Sequence, residues 1–405
     1  MQSNSKKQFY IYAAINFAFF ITITFNGYVT VFLQSIGFNS QQVGRIAALN
    51  SGVGIFSAPF WGMLSDKLRS LKKVIIFTLA ASGLLFATIP WFGGTNILGI
   101  SVLFLLIPVT MFFRMPIMAL IDNWMLRNCK KENLNYGALR AYGALSFAIM
   151  ALALGSFIVP RTGPAFIFYI SLIFTIPPIL LIFFAKSRDD DQGVGKKRLT
   201  FKEMKIGALF KNYYLVTYIL FTAIQRIPFH GAMMFLPFLI YDVGGQPERL
   251  GIIMGIKALV EIPLMMLLKR LRQKYPLYVL IIVATVFFVI ECILLSFATH
   301  FTAIIVISVF HGIGNGLMIP SASSYVFQLA PENLKATAQT VLASMAAIAG
   351  IIGGLLGGLL IAVFSIQQFY FIIGIMLAVA LGLFMLSLFI GQRILGIKRP
   401  GLSLV

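Results

Sequence analysis

Acidic side chains are scarce in this chain: 12 Asp and Glu stand against 32 Lys and Arg in 405 residues, and charged residues of both signs reach only 11%. Soluble globular domains carry about 25% charged residues, so a water-soluble fold is excluded. Cysteine is limited to Cys129 and Cys292, one read as lying in a polar turn and the other inside a helix, and histidine to three copies. A disulfide framework and a metal site have nothing to be built from, and no cofactor is expected. A phosphate-binding loop is missing too. Gly350, Gly353, Gly354, Gly357 and Gly358 sit in an apolar run with no preceding strand and no Lys-Ser/Thr after them, which makes them a small-residue packing face. Tryptophan is reduced to Trp61, Trp91 and Trp124, leaving little indole surface on which a sugar could stack.

What the chain has instead is 59% hydrophobic residues. A spanning helix needs about 20 mostly apolar residues. Twelve such segments are expected, at 9–35, 41–63, 73–93, 97–126, 134–159, 164–185, 212–241, 248–269, 276–299, 301–329, 335–363 and 366–391. Lys6 and Lys7 precede an apolar run too long for a signal peptide. The net charge of +20 would suggest nucleic acid in a soluble protein. Here Lys and Arg gather in alternate short connections, so they read as topology signals that keep both termini cytoplasmic, and no nucleic-acid partner is expected. The polar stretch 186–211 divides the chain into a six-helix bundle, 1–185, and a second, 212–405. Faint repetition supports that division. SAPFWGMLSDKLRSLKK (57–73) is echoed by EIPLMMLLKRLRQKYP (261–276), and Glu132-Asn133-Leu134 recurs as Glu332-Asn333-Leu334.

The chemistry centres on residues 112–143. Asp122 lies before a short basic turn and Arg140 after it, each where the pattern calls for lipid-like residues. Intramembrane charges are costly and tend to face a cavity in pairs. A turn of about six residues puts both at similar depth, as a cavity-lining pair or a structural ion pair. Arg114, Arg226, Lys257, Glu261, Glu291 and His311 also fall near the middle of their helices. Each charge would cost roughly 2.5–3.5 kcal/mol to insert, so they are expected to surround an aqueous cavity between the halves. Lys257 and Glu261 are neighbours on one helix face. Arg114 and Arg226 suit a carboxylate or other anion. Asn26, Gln225 and Asn315 supply either cavity hydrogen bonds or helix–helix contacts. Glu261, Glu291 and His311, with Lys257 alongside, are the candidates for carrying a proton.

Gly62-Met-Leu-Ser-Asp66-Lys67-Leu-Arg69-Ser-Leu-Lys72-Lys73 resembles the loop after the second helix of major facilitator superfamily transporters, with Arg69 standing where that pattern has a glycine. The resemblance implies that Gly62, Asp66, Lys67 and Arg69 form a conformational latch, with Gly62 allowing close helix approach. Pro116-Ile-Met-Ala-Leu-Ile-Asp122-Asn-Trp, with Tyr136-Gly137-Ala-Leu-Arg140-Ala-Tyr-Gly143, is similar to the phenylpropionate permease group. That group is related to the nucleoside–proton and oligosaccharide–proton symporters, including lactose permease. Ala258-Leu-Val-Glu261-Ile and Phe310-His311-Gly312 match further positions of the group. Glu291 departs from it, standing where relatives carry an arginine.

The expectation is an all-α membrane protein of the major facilitator fold, monomeric, in the cell membrane. It would carry a small organic solute, a carboxylate, nucleoside or saccharide, in symport with protons. Efflux of drugs or sugars is the alternative, against which the fifth helix lacks the Gly-x-x-x-Gly-Pro pattern of antiporters. A membrane-embedded enzyme would need a catalytic constellation at the membrane surface. His230, His300 and His311 lie at unrelated depths and no nucleophile motif accompanies them, so no enzymatic activity is expected.

Overall fold

The computed structural model describes residues 2–132, 134, 136–185, 206–331 and 334–402. Most of the proposed linker and the two Glu-Asn-Leu repeats fall wholly or partly outside them. In chain order the helices are α1 (Gln2–Thr24), α2 (Tyr28–Ser35), α3 (Ser40–Lys67), α4 (Leu71–Thr88), α5 (Leu103–Arg114), α6 (Ile117–Glu132), α7 (Tyr136–Ala153), α8 (Val159–Thr162) and α9 (Phe166–Phe184). Then come α10 (Tyr213–Met234), α11 (Leu236–Asp242), α12 (Leu250–Lys274), α13 (Leu277–Leu295), α14 (Phe301–Leu329), α15 (Lys335–Val363) and α16 (Ile366–Phe389). A two-stranded hairpin, β1 (Asn96–Ile97) and β2 (Ile100–Ser101), precedes α5. Its two-residue turn puts Leu98 and Gly99 at φ 51° and 80°, so the helix expected from residue 97 begins only at Leu103.

Ten helical segments among the described residues are long and apolar enough to cross a membrane, or 11 if the bent pair α10–α11 is one span. Twelve were expected. Beyond the bent pair the difference is α3, which has 28 residues and Pro59 in its interior. It is long enough to span, but it is not among the helices that are apolar enough to cross by composition.

The chain forms two compact units. Unit 1 holds Met1–Asn39, Leu49–Lys196 and Gln246–Gly255; unit 2 holds Ser40–Ala48, Lys197–Gly245 and Ile256–Val405. In unit 1, α1 packs on α7 and α9, and α4 on α5 and α9. In unit 2, α13 packs on α14 and α16, and α10 on α15 and α16. The glycines of α15 serve as the expected packing face. A Cβ on Gly353 would lie 2.5 Å from the Ile227 carbonyl oxygen, and one on Gly357 would lie 2.6 Å from the Phe235 ring.

Two local breaks shape unit 1. Pro116 has no N–H to give the Phe112 carbonyl, and the helix parts there into α5 and α6. The indole Nε1–H of buried Trp61 donates to that carbonyl instead, at 3.0 Å. In the first span, a 3₁₀ turn at Phe25–Gly27 separates α1 from α2.

The end of α3 corrects one expectation and sharpens another. A Cβ on Gly62 would meet nothing within 4 Å, so this glycine does not serve a close helix approach. Arg69, in the place of a glycine, sits at φ 50°. Its N–H bonds to Asp66 O and that of Ser70 to Ser65 O, each at 3.2 Å, closing a Schellman-type cap. Ser70 then caps α4 by accepting from the Lys73 amide. Asp66, Lys67 and Arg69 are all exposed. A left-handed non-glycine residue costs roughly 1–2 kcal/mol. Arg69→Gly is therefore expected to stabilise the protein by about 1 kcal/mol, read as a higher unfolding midpoint in detergent. An unchanged or lower midpoint would mean that the arginine side chain compensates for its own backbone.

Candidate functional site

The sequence-derived residues fall into separate clusters. The first, in unit 1, joins α6 to α7. Arg140 Nη1 donates to both Asp122 oxygens, at 2.6 and 2.8 Å, and Tyr136 OH donates to Oδ1 at 2.6 Å. The Arg140 guanidinium lies over the Phe20 ring, 4.8 Å from its centre. That ring occupies the space a side chain at 143 would take: a Cβ on Gly143 would be 2.6 Å from it. The Tyr-Gly and Tyr-x-Gly spacing thus places a hydrogen-bond partner on one side of Arg140 and a stacking surface on the other. The pair is half-buried, with 31% and 27% of the Arg140 and Asp122 side chains exposed. Nε and Nη2 of Arg140 have no protein partner among the described residues, so this cation can still donate to a ligand.

The second cluster lies in unit 2, where Glu291 bridges two partners. Lys257 Nζ donates to Oε1 at 3.0 Å, and His311 Nδ1–H donates to Oε2 at 2.7 Å. All three residues are no more than 6% exposed. Met233 Sδ is a further neighbour of Lys257, at 3.6 Å, and the imidazole stacks on Phe229. Gly312 makes this possible, because a Cβ there would lie 2.7 Å from the Lys257 carbonyl oxygen. Its absence lets α14 press against α12. The expected Lys257–Glu261 neighbour pair is not what forms. Lys257 turns to Glu291, while Glu261 accepts from Asn315 Nδ2 at 3.1 Å. Glu291 is accordingly not a lone carboxylate in mid-helix. A proton reaching Glu291 would remove the charge that holds Lys257; one reaching His311 would add a second cation.

Arg114 forms a third cluster inside unit 1. It is 8% exposed and stacked on Phe86 at 4.3 Å. Nε donates to Asn26 Oδ1 and Nη2 to the Thr22 carbonyl, both at 2.5 Å. The 3₁₀ turn after α1 leaves that carbonyl available. Arg226 stands over Phe229 in unit 2 at 5.5 Å, and Gln225 is buried beside it on α10. Cys129 is buried within α6 and not in a turn. Arg114 has its hydrogen-bond partners within unit 1, and the Lys257–Glu291–His311 triad has its own within unit 2.

Sequence reasoning missed Tyr136, Thr22, Phe86 and Met233 as partners. Only Tyr136 carried a signal, since it lies one helical turn before Arg140 on the same face.

Comparison with known proteins addresses the family and the fold. The chain is 27% identical over 316 residues to the uncharacterized transporter YwbF of Bacillus subtilis, covering 76% of this chain and 74% of that one. It is 24% identical to the maltose permease of Geobacillus stearothermophilus, covering 76% of each. It is 26% identical to the multi-drug resistance efflux pump PmrA of Streptococcus pneumoniae, covering 75% and 76%. Among solved structures, the nucleoside transporter NupG shares the fold with a TM-score of 0.78 at 17% identity, covering 95% of this chain and 99% of that one. The MFS_1 like family model matches residues 9–372, and the chain belongs to that family as a multi-pass membrane protein of the transporter class.

Proposed function

We propose that this protein is a secondary active transporter that moves a small organic solute in symport with protons by alternating access. In this reading it crosses the cell membrane twelve times, as two six-helix bundles, 1–185 and 212–405, joined by 186–211, with both termini cytoplasmic. Asp66, Lys67 and Arg69 act as its latch. The observation that carries the proposal is the contrast between the two ion clusters. Asp122–Arg140 is half-exposed and keeps unused donors, as a solute contact requires. Lys257–Glu291–His311 is buried and self-contained, as a proton-responsive element requires. Glu261 belongs to the coupling side. Arg114, Asn26, Arg226 and Gln225 belong to the solute side. The nucleoside and maltose specificities of NupG and of the Geobacillus permease support a polar solute of that size.

A second reading, proton-driven efflux, draws on the similarity to PmrA. Proteoliposomes with an imposed pH gradient separate the two. Solutes that raise the unfolding midpoint of the purified protein supply the labelled candidates. Symport predicts accumulation on the side toward which protons flow, and efflux predicts movement against them. Solute movement indifferent to the gradient would overturn both.

A further inference from the structure

Arg114 is a buried cation whose protein partners among the described residues include no carboxylate. A guanidinium carries five N–H donors. Three serve neutral acceptors: Asn26 Oδ1, the Thr22 carbonyl and, at 3.5 Å, Ser171 Oγ. The two on Nη1 have no protein partner among the described residues. An uncompensated buried charge is costly, and neutral acceptors relieve only part of that cost. The helix ends beside Arg114 do not supply the missing charge. Thr22 lies at the end of α1 and Arg114 at the end of α5, but α2 begins three residues after the 3₁₀ turn starts, and α6 begins at Ile117. Each negative helix end faces the positive start of the next helix, so the macrodipoles largely cancel.

Arg114 lines a cavity of about 120 Å³ inside unit 1, with Asn26, Thr22, Ser82 and Thr175. Asn26 turns its oxygen to Arg114, which leaves its Nδ2 amide without a protein partner among the described residues. The hydroxyls are already committed. Thr22 donates to Phe19 O, Ser82 to Leu79 O and Thr175 to Ser171 O. The available donors are therefore the N–H groups of Arg114 Nη1 and Asn26 Nδ2, and among the described residues none that lines the cavity is acidic. Water needs only about 10–15 Å³ of such space per molecule and could satisfy the N–H groups. It could not neutralise the charge.

We propose that this cavity binds a compact monovalent anion, chloride or a small carboxylate, between Nη1 of Arg114 and Nδ2 of Asn26. This deepens the assignment of both residues to the solute side. The anion is either a free ion or the carboxylate end of the solute.

The test uses the purified full-length protein in detergent. Its unfolding midpoint is measured in sodium chloride, sodium formate and sodium gluconate at constant ionic strength. Chloride and formate are expected to raise the midpoint saturably, and bulky gluconate to leave it unchanged. Asn26→Ala should fold and lose most of that rise. Asn26→Asp builds a counter-anion into the chain. It should match the chloride-saturated wild type while in gluconate, and respond no further to chloride. Identical wild-type midpoints in all three salts, with Asn26→Asp no more stable than wild type in gluconate, would overturn the proposal.

Proteoliposome uptake then distinguishes the sources. Chloride that competes with the solute marks a solute carboxylate, and chloride that is required for uptake marks a free ion. If no solute is transported at all while the midpoints behave as expected, the transport reading fails and the anion site stands.

Discussion

Glu291→Gln is expected to abolish uphill solute accumulation and to destabilise the protein by about 3–5 kcal/mol, because it strands the Lys257 ammonium in an apolar interior. Glu291 is the acceptor for both Lys257 and His311, so one substitution removes the charge and one of the two acceptor oxygens on which the cluster is built. Stability and coupling can be separated with a double variant. Glu291→Gln combined with Lys257→Met removes both charges and should recover most of the folding loss, since replacing a buried pair by apolar groups is often neutral. Uphill accumulation should remain absent, because the triad has lost the carboxylate that would exchange its proton. Counterflow of labelled solute, which need not move protons, should return. If the double variant concentrates solute like wild type, the triad is structural and the coupling site lies elsewhere, with Asp122 the next residue to test. Glu261→Gln is expected to lose accumulation as well.

Asp122→Asn should cut transport roughly 100-fold while leaving the protein folded. Arg140 would lose two charge-assisted bonds, each worth about 1.5–3 kcal/mol, and with them its fixed orientation. Loss of about 3 kcal/mol from the transport step corresponds to that factor. The fully buried triad gives a different stability outcome. Here both side chains are about a third exposed, so water takes over the solvation of Arg140 and the unfolding midpoint should fall only slightly. Asp122→Glu keeps the charge and should retain measurable uptake. Wild-type uptake by Asp122→Asn would remove the pair from the solute site. A collapse of the midpoint comparable with that of Glu291→Gln would mark the pair as structural.

The sequence disclosed the spans and the Asp122–Arg140 pair for physical reasons. Apolar runs of spanning length have few alternatives in a membrane, and a charge on each side of a short turn has an obvious partner. It was less informative where side chains choose among several neighbours. From spacing alone, Lys257 has Glu261 one turn away. What draws it to Glu291 is the approach of α12, α13 and α14, which depends on Gly312 having no side chain. Arg69 shows a related limit. Its sequence departs from the glycine pattern, yet the cap geometry survives because the hydrogen bonds of Arg69 and Ser70 hold an arginine at φ 50°.

The bond from Trp61 to the Phe112 carbonyl makes the chain's own fluorescence selective. All three tryptophans lie in unit 1: Trp61 is 4% exposed, Trp124 fully buried and Trp91 68% exposed. Indole emission therefore follows one unit and is silent about the other. Its most informative source is anchored to the carbonyl that Pro116 leaves unpaired, two residues from Arg114. Movement at this kink would change the hydrogen bonding of an excited indole, so a shift in emission would report events at the Arg114 cavity. Rearrangement of the Lys257–Glu291–His311 cluster would have to be followed with an introduced probe.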